Sequence, residues 1–405
     1  MKAEPEHADS YRWVILGVLW TTYVVVFLHR LSVGPLGPFF KEDLSATSTQ
    51  VGLVMSAASF GYLISIFPTG WLVDRVGARW PIVAGEFIAG ACMIVLFFVP
   101  SYKWLLALMF VTGFGCGFLL PSTTQAVVAW FPIRERATVM GFKQTAVNVG
   151  GIVSAATLPS IAIALGWRYG FLFLGILAVI IGTIALLLYR EPSCSMKKTA
   201  ENSKRSALPL SEIFKSREIW ILSICGLCFT WVEMAMIAHL VLYLTEALLF
   251  GAVFAGGLLA MSEVAGAVMR PLSGIISDRV FGGRRKQVFM IMAAIVCAMS
   301  AVLGLAGPHL GFLLYPVLLL LGIGGIAFGG IWLTMLAEFG GKRGAGKAVG
   351  LGGMIGISGG AIGPPVFGFI VDKTGSYSWA WLSLTATSLV CFFLIALVRE
   401  EKRRI

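Results

Sequence analysis

Six ionisable side chains stand inside long apolar stretches of this 405-residue chain: Arg30, Glu86, Lys143, Glu233, Glu263 and Arg270. The first lies in "TTYVVVFLHRLSVGPLGPFF" (21–40), directly after a histidine. A charge near the centre of a bilayer costs about 2.5–3.5 kcal/mol on insertion scales, so such residues usually mark function. Arginine presents a planar fork that grips a carboxylate or phosphate through two hydrogen bonds. A buried carboxyl can pair with such an arginine or carry a proton. The chemistry on offer is anion binding and proton transfer.

These residues must be positioned by membrane spans. The chain is 58% hydrophobic and 13% charged, against about 45–50% and 25% for soluble domains. Twelve apolar runs are long enough to cross a bilayer: 12–40, 49–73, 80–100, 104–131, 137–165, 168–189, 218–247, 250–276, 287–306, 310–337, 346–371 and 378–398. Continuous runs of this length exclude a membrane β-barrel. Of the 31 lysines and arginines, Arg30, Lys143 and Arg270 fall within spans, and Lys41, Lys103, Arg168 and Lys373 fall at one side. All the others fall at the opposite side, which the positive-inside rule makes cytoplasmic, together with both termini. The net charge of +11 therefore sets topology and implies no nucleic-acid partner. The acidic N-terminus, with Glu4, Glu6 and Asp9, is not a signal peptide. Six of the seven cysteines lie in spans, and the Cys225/Cys228 pair reads as packing rather than a metal site.

Residues 190–217 form the longest polar stretch and read as a cytoplasmic linker between a six-span half, 1–189, and a second, 218–405. The halves repeat each other. "GWLVDRVGARW" (70–80) follows the second span and "GIISDRVFGGRRK" (274–286) the eighth, 204 residues apart by their first glycines. Gly141 and Gly150 are likewise matched by Gly350 and Gly359. Repeat-built membrane proteins of this kind carry their ligand near the midplane, between the repeats. The motif's glycines, Gly70, Gly77 and Gly274, permit close helix packing and a tight turn. Asp74 can face a helix N-terminus or pair with Arg75 or Arg79. With Asp278, Arg279 and Arg284 in the second copy, these residues form a candidate conformational latch.

The two loop motifs, the twelve spans and the linker resemble the major facilitator superfamily along nearly the whole chain. The resemblance implies an all-α membrane fold of two pseudo-symmetric six-helix bundles, a transporter and not an enzyme. No G-x-x-x-x-G-K-[ST] ATP site occurs, and neither a cofactor nor a metal is expected. It also implies that spans 1, 4, 7 and 10 line the cavity, with 2, 5, 8 and 11 flanking it. Arg30 and Glu233 then occupy equivalent spans, Lys143, Asn148, Glu263 and Arg270 share a neighbourhood, and Glu86 falls on an outer span in a structural or snorkelling role. Three cations face two carboxylates, which favours an anion.

"RWVILGVLWTTYVVVFLHR" is similar to the organic-anion branches, which carry an arginine at the Arg30 position for substrate, and "VMRPLSGIISD" resembles the Arg-Pro segment of the monocarboxylate transporters. The resemblance is incomplete. Span 7 lacks the second arginine of the glycerol-phosphate branch, and Gly266 stands where monocarboxylate transporters have an aspartate. The expected substrate is a monocarboxylate or sugar acid, carried with a proton across the inner membrane by a monomer. Tyr23, Gln125, Gln144, Asn148 and Trp231 are candidate substrate neighbours of Arg30 and Arg270. Glu263, Glu233 and His239 are candidate proton carriers, Glu263 being paired in this reading with Arg270, two turns along its own helix. His239 serves equally well as a hydrogen-bonded structural residue. The rival readings are an exporter of amphipathic compounds and a ligand sensor that transports nothing.

Overall fold

The computed structural model describes residues 7–191 and 214–399. Most of the expected linker, 192–213, lies outside the described residues. Among the described residues there are fourteen α-helices: α1 (His7–Leu31), α2 (Val33–Asp43), α3 (Ser48–Val76), α4 (Arg79–Leu96), α5 (Tyr102–Gly117), α6 (Leu119–Trp130), α7 (Ile133–Leu165), α8 (Trp167–Leu188), α9 (Arg217–Glu246), α10 (Ala252–Arg279), α11 (Arg285–Ala306), α12 (Leu314–Gly325), α13 (Gly329–Thr374) and α14 (Tyr377–Leu397). They supply twelve helical segments long and apolar enough to cross a membrane, from Ser10–Asp43 to Tyr377–Leu397. A lipid-exposed backbone must satisfy its polar groups internally, which is why the apolar runs are helical throughout.

Three of these spans are interrupted, each at or beside a serine or glycine. The first breaks at Ser32, whose amide and hydroxyl both return to the His29 carbonyl, at 3.4 and 2.8 Å. The fourth breaks between Gly117 and Leu119, and the tenth between Gly325 and Gly329. Broken helices at membrane depth survive only where protein or a polar lining covers them. Spans 1, 4 and 10 are three of the four that the resemblance places around the cavity. The break in span 1 also lies two residues beyond Arg30. A further kink, at Gly341 (φ 64°), separates the tenth span from the eleventh within α13.

The chain packs as two compact units. One comprises Met1–Ser32, Ala57–Ser154 and Ile161–Lys204; the other comprises Val33–Ser56, Ala155–Ser160 and Arg205–Ile405. Toward the end of the first unit that carries the N-terminus, a cluster of Ile15, Leu19, Val73, Ile82, Val127, Phe131 and Tyr189 holds α1, α3, α4 and α6 together. In the second, α2 lies so close to α9 that a side chain at Gly34 would collide with the Ile237 carbonyl. Span 7 is unbroken and is the most thoroughly covered of all.

Candidate functional site

Arg30 and Lys143 are both buried in the first unit. The Arg30 guanidinium lies 4.0 Å above the Tyr62 ring and 5.3 Å from that of Phe27. Lys143 Nζ lies 4.5 Å from the Tyr23 ring and donates to the hydroxyls of Thr123 at 3.1 Å and Thr124 at 3.3 Å. Tyr23 and Tyr62 are both buried in the same unit, each 2% exposed. Each cation thus rests on a buried tyrosine ring of its own. α7 reaches this place because Gly150 lets it run against α1, where an added methyl would meet the Val24 carbonyl at 2.8 Å.

Among the described residues no carboxylate lies within ion-pair distance of Arg30 or Lys143. Cation–π contact recovers about 2 kcal/mol for a desolvated cation, less than the several kcal/mol that burying an ion costs. The deficit is one an anion would remove. Polar atoms without protein partners stand ready in the same unit: Arg30 Nε, Asn148 Nδ2 and Gln144 Oε1. Gln125 is half-buried on α6. Sequence reasoning weighed Lys143 but left it out of the site, and missed Tyr62 altogether. The spacing of Tyr62 along the second span carries no signal of what it stacks on.

In the second unit Arg270 is the central charge. Its Nε and Nη2 donate to the Ile326 carbonyl, at 3.2 and 3.1 Å, and so satisfy the backbone freed by the break in the tenth span. Nη2 also lies 3.6 Å from Glu233 Oε1. The expected association with Glu263 is therefore corrected: Arg270 pairs with Glu233, because α9 faces it across the helix interface. Glu263 is itself 2% exposed. Trp231 is half-buried, with its backbone against Gly363. His239 is fully buried, its Nε2 2.9 Å from the Pro364 carbonyl and its ring stacked on Phe367. That carbonyl acceptor belongs to a helix interrupted by Pro364 and Pro365, which gives the histidine a structural task.

The latch motifs differ from expectation in three details. Asp74 is exposed and pairs with neither arginine: Arg75 stacks on Trp71 at 3.7 Å, and Arg79 donates to the Leu186 carbonyl at 2.6 Å. Glu191 does the local work instead, accepting from the Arg79 amide at 2.9 Å beside Gly77, whose φ of +84° makes the turn. Gly70 and Gly274 have open space where a Cβ would project, so neither is there for close packing. In the second copy it is Arg285, not Arg279 or Arg284, that meets Asp278 at 3.6 Å and Glu338 at 2.9 Å.

At the opposite end of the spans stands a clasp that sequence reasoning missed. Asp372, near the end of α13, accepts from the amides of Ser48 and Thr49, at 2.9 and 2.7 Å, and from the Thr49 hydroxyl. It therefore caps the N-terminus of α3, where the first amides lack helical acceptors. Beside it, Lys41 bonds both Glu246 oxygens, at 2.7 and 2.9 Å, and Tyr377 donates to Glu246 at 2.8 Å. These contacts all lie within the second unit and tie α2 and α3 to α9, α13 and α14.

A model of the Major Facilitator Superfamily matches residues 19–364. The chain belongs to that superfamily. It is a transporter with twelve spans, not an enzyme. It is 25% identical over 390 residues to a probable sulfoacetate transporter of Cupriavidus necator, covering 90% of this chain and 89% of the relative. It is 26% identical over 398 residues to a hexuronate transporter of Bacillus subtilis, covering 94% and 92%. Its fold matches a crystal structure of a bacterial homologue of the human lysosomal transporter Spinster, with a TM-score of 0.81 at 16% identity, covering 98% and 97%.

Proposed function

We propose that this transporter carries a small organic anion, a monocarboxylate or a sugar acid, together with a proton, by alternating access. The observation that carries the reading is the pair of buried cations, Arg30 and Lys143, held on Tyr62 and Tyr23 with no carboxylate to neutralise them. The related sulfoacetate and hexuronate transporters support it, since both names denote organic anions. Arg30 presents its fork to the carboxylate, Lys143 adds charge, and Asn148, Gln144 and Gln125 supply hydrogen bonds to the rest of the ligand. Tyr23 positions Lys143.

Arg270, paired with Glu233 two residues after Trp231 on α9, is a second anion-binding cation. Its bond to Glu233 suggests the coupling step. A substrate carboxylate that engages Arg270 takes the place of Glu233, which then binds a proton rather than remain as an uncompensated buried charge. Glu263, equally buried, is the alternative carrier. The polar cluster of Asp372 and Glu246 at one end of the spans and the loop motifs around Asp74 and Asp278 at the other are the segments expected to rearrange during alternating access. The distribution of lysine and arginine supports a topology with both termini in the cytoplasm, in a monomer held by the inner membrane.

Uptake of labelled carboxylates into proteoliposomes, with and without an inward proton gradient, tests the reading. Gradient-driven accumulation that Arg30→Lys abolishes is the expected result. Efflux of amphipathic cations untouched by Arg30→Lys would favour an exporter, and saturable binding without any flux a sensor.

A further inference from the structure

Glu86 is the buried charge that the proposed function leaves unused. It lies on α4, 1% exposed, so it does not snorkel to a membrane surface. Among the described residues neither carboxyl oxygen has a hydrogen-bond partner. Its stem is pinned from the far side by α8, where a Cβ at Gly182 would meet Glu86 Cβ at 3.0 Å. A carboxylate in such a place, with no donor and no cation, is prohibitively costly, whereas the neutral acid is not.

The groups around it show where the proton could be released. α1 brings His29 and Arg30. His29 Nε2 lies 3.2 Å from the Leu174 carbonyl of α8, and its Nδ1 is buried without a partner. From α5 comes Cys116: its neighbour Gly115 packs against Gly85, the residue before Glu86, where an added Cβ would meet the Gly115 carbonyl at 2.6 Å, and its thiol lies against the Val26 carbonyl one turn before Arg30. α4 itself adds Cys92. α6 carries no ionisable side chain, and those of α8 are Arg168 and Tyr169 in its first turn. Arg30 is therefore the cation facing this region from α1. Among the described residues its Nε lacks an acceptor just as the Glu86 oxygens lack a donor.

We propose that Glu86 is a proton-binding site that competes with the transported anion for Arg30. With an anion on Arg30, Glu86 stays protonated. When the anion leaves and the helices rearrange, the ionised Glu86 pairs with Arg30 and its proton departs to water. Each cycle then moves one proton through the first unit, in addition to any carried by Glu233 in the second. The inference rests on the proposed organic-anion symport, which it extends by a second coupling site.

The test compares parent and Glu86→Gln in proteoliposomes, reading labelled anion uptake and proton influx from an internal pH dye. The variant should exchange anion for anion yet carry one proton fewer per anion. At a gradient of one pH unit each coupled proton is a factor of about ten in accumulation, so the accumulation ratio should fall about tenfold. Parent-like proton-to-anion ratios in Glu86→Gln would overturn the proposal. If the parent moves anions without protons, the symport reading itself fails and this inference with it. Glu86→Asp guards against a misfolded amide variant: a withdrawn carboxyl should shift the pH dependence of uptake, and an unchanged profile would also overturn the proposal.

Discussion

Replacing Asp372 by asparagine probes the clasp at the end of the spans remote from the termini. The carboxylate accepts three hydrogen bonds, two of them from the first amides of α3. Asparagine offers one acceptor oxygen in place of two and no charge, so at least one of those amides loses its acceptor. A charge-assisted bond contributes about 1.5–3 kcal/mol where buried. Asp372 is exposed, so about 1 kcal/mol is the appropriate figure. The lost interaction with the helix N-terminus adds roughly 0.3–1 kcal/mol. The sum, about 1.5–2 kcal/mol, corresponds to a shift of about 10–30-fold toward the open clasp. Hydrogen-exchange mass spectrometry of the segment around Ser48 and Thr49 reads this directly. Protection there should fall by that factor in Asp372→Asn while α4 and α8 exchange as in the parent. Unaltered protection at Ser48 and Thr49 would refute the capping argument.

Other substitutions separate binding from architecture. Arg30→Lys keeps the charge but loses the fork, and uptake efficiency should fall about 10–150-fold, the equivalent of about 1.5–3 kcal/mol; parent-like kinetics would remove Arg30 from the anion site. Arg270→Ala strands Glu233 and the Ile326 carbonyl, so thermal unfolding in detergent should show a loss of about 3–5 kcal/mol, and a negligible shift in Tm would mean that the pair contributes little. Gly77→Ala forces an alanine into the left-handed region beside Glu191, at roughly 1–2 kcal/mol; unchanged stability would show that the turn relaxes freely. Asp74→Asn should slow interconversion between conformations and leave equilibrium anion binding intact, whereas equal losses in both would assign Asp74 to folding.

The positions of the spans were legible because hydrophobic length is read by the bilayer one helix at a time. The expected run 168–189 and the observed Trp167–Leu188 differ by one residue at each end. The interruptions were less visible. Pro35 and Pro38 follow the break at Ser32, but nothing in "GFGCGFLLP" distinguishes a break at Phe118 from a glycine-lined helix. Burial of ionisable residues was also legible, since a lone charge among valines and leucines is conspicuous. Their pairing was not, because a partner on another helix leaves no trace in sequence spacing. Arg270 was matched with Glu263 on its own helix, whereas the geometry gives it Glu233. Asp372, capping a helix more than three hundred residues earlier in the chain, was invisible for the same reason. Glu86 sits on an outer span by topology, but α8 packs over it at Gly182 and buries it.

The central claim is that buried, uncompensated cations in the first unit bind an organic anion. Equilibrium binding of a carboxylate and of its neutral amide to the purified protein, followed by intrinsic tryptophan fluorescence in parent, Arg30→Lys and Lys143→Met, tests it most directly. The account predicts saturable binding of the carboxylate, at least tenfold weaker binding of the amide, and weaker carboxylate binding in both variants, the loss of one charged hydrogen bond being about 1.5–3 kcal/mol. Equal affinity for carboxylate and amide, unchanged by either substitution, would contradict it.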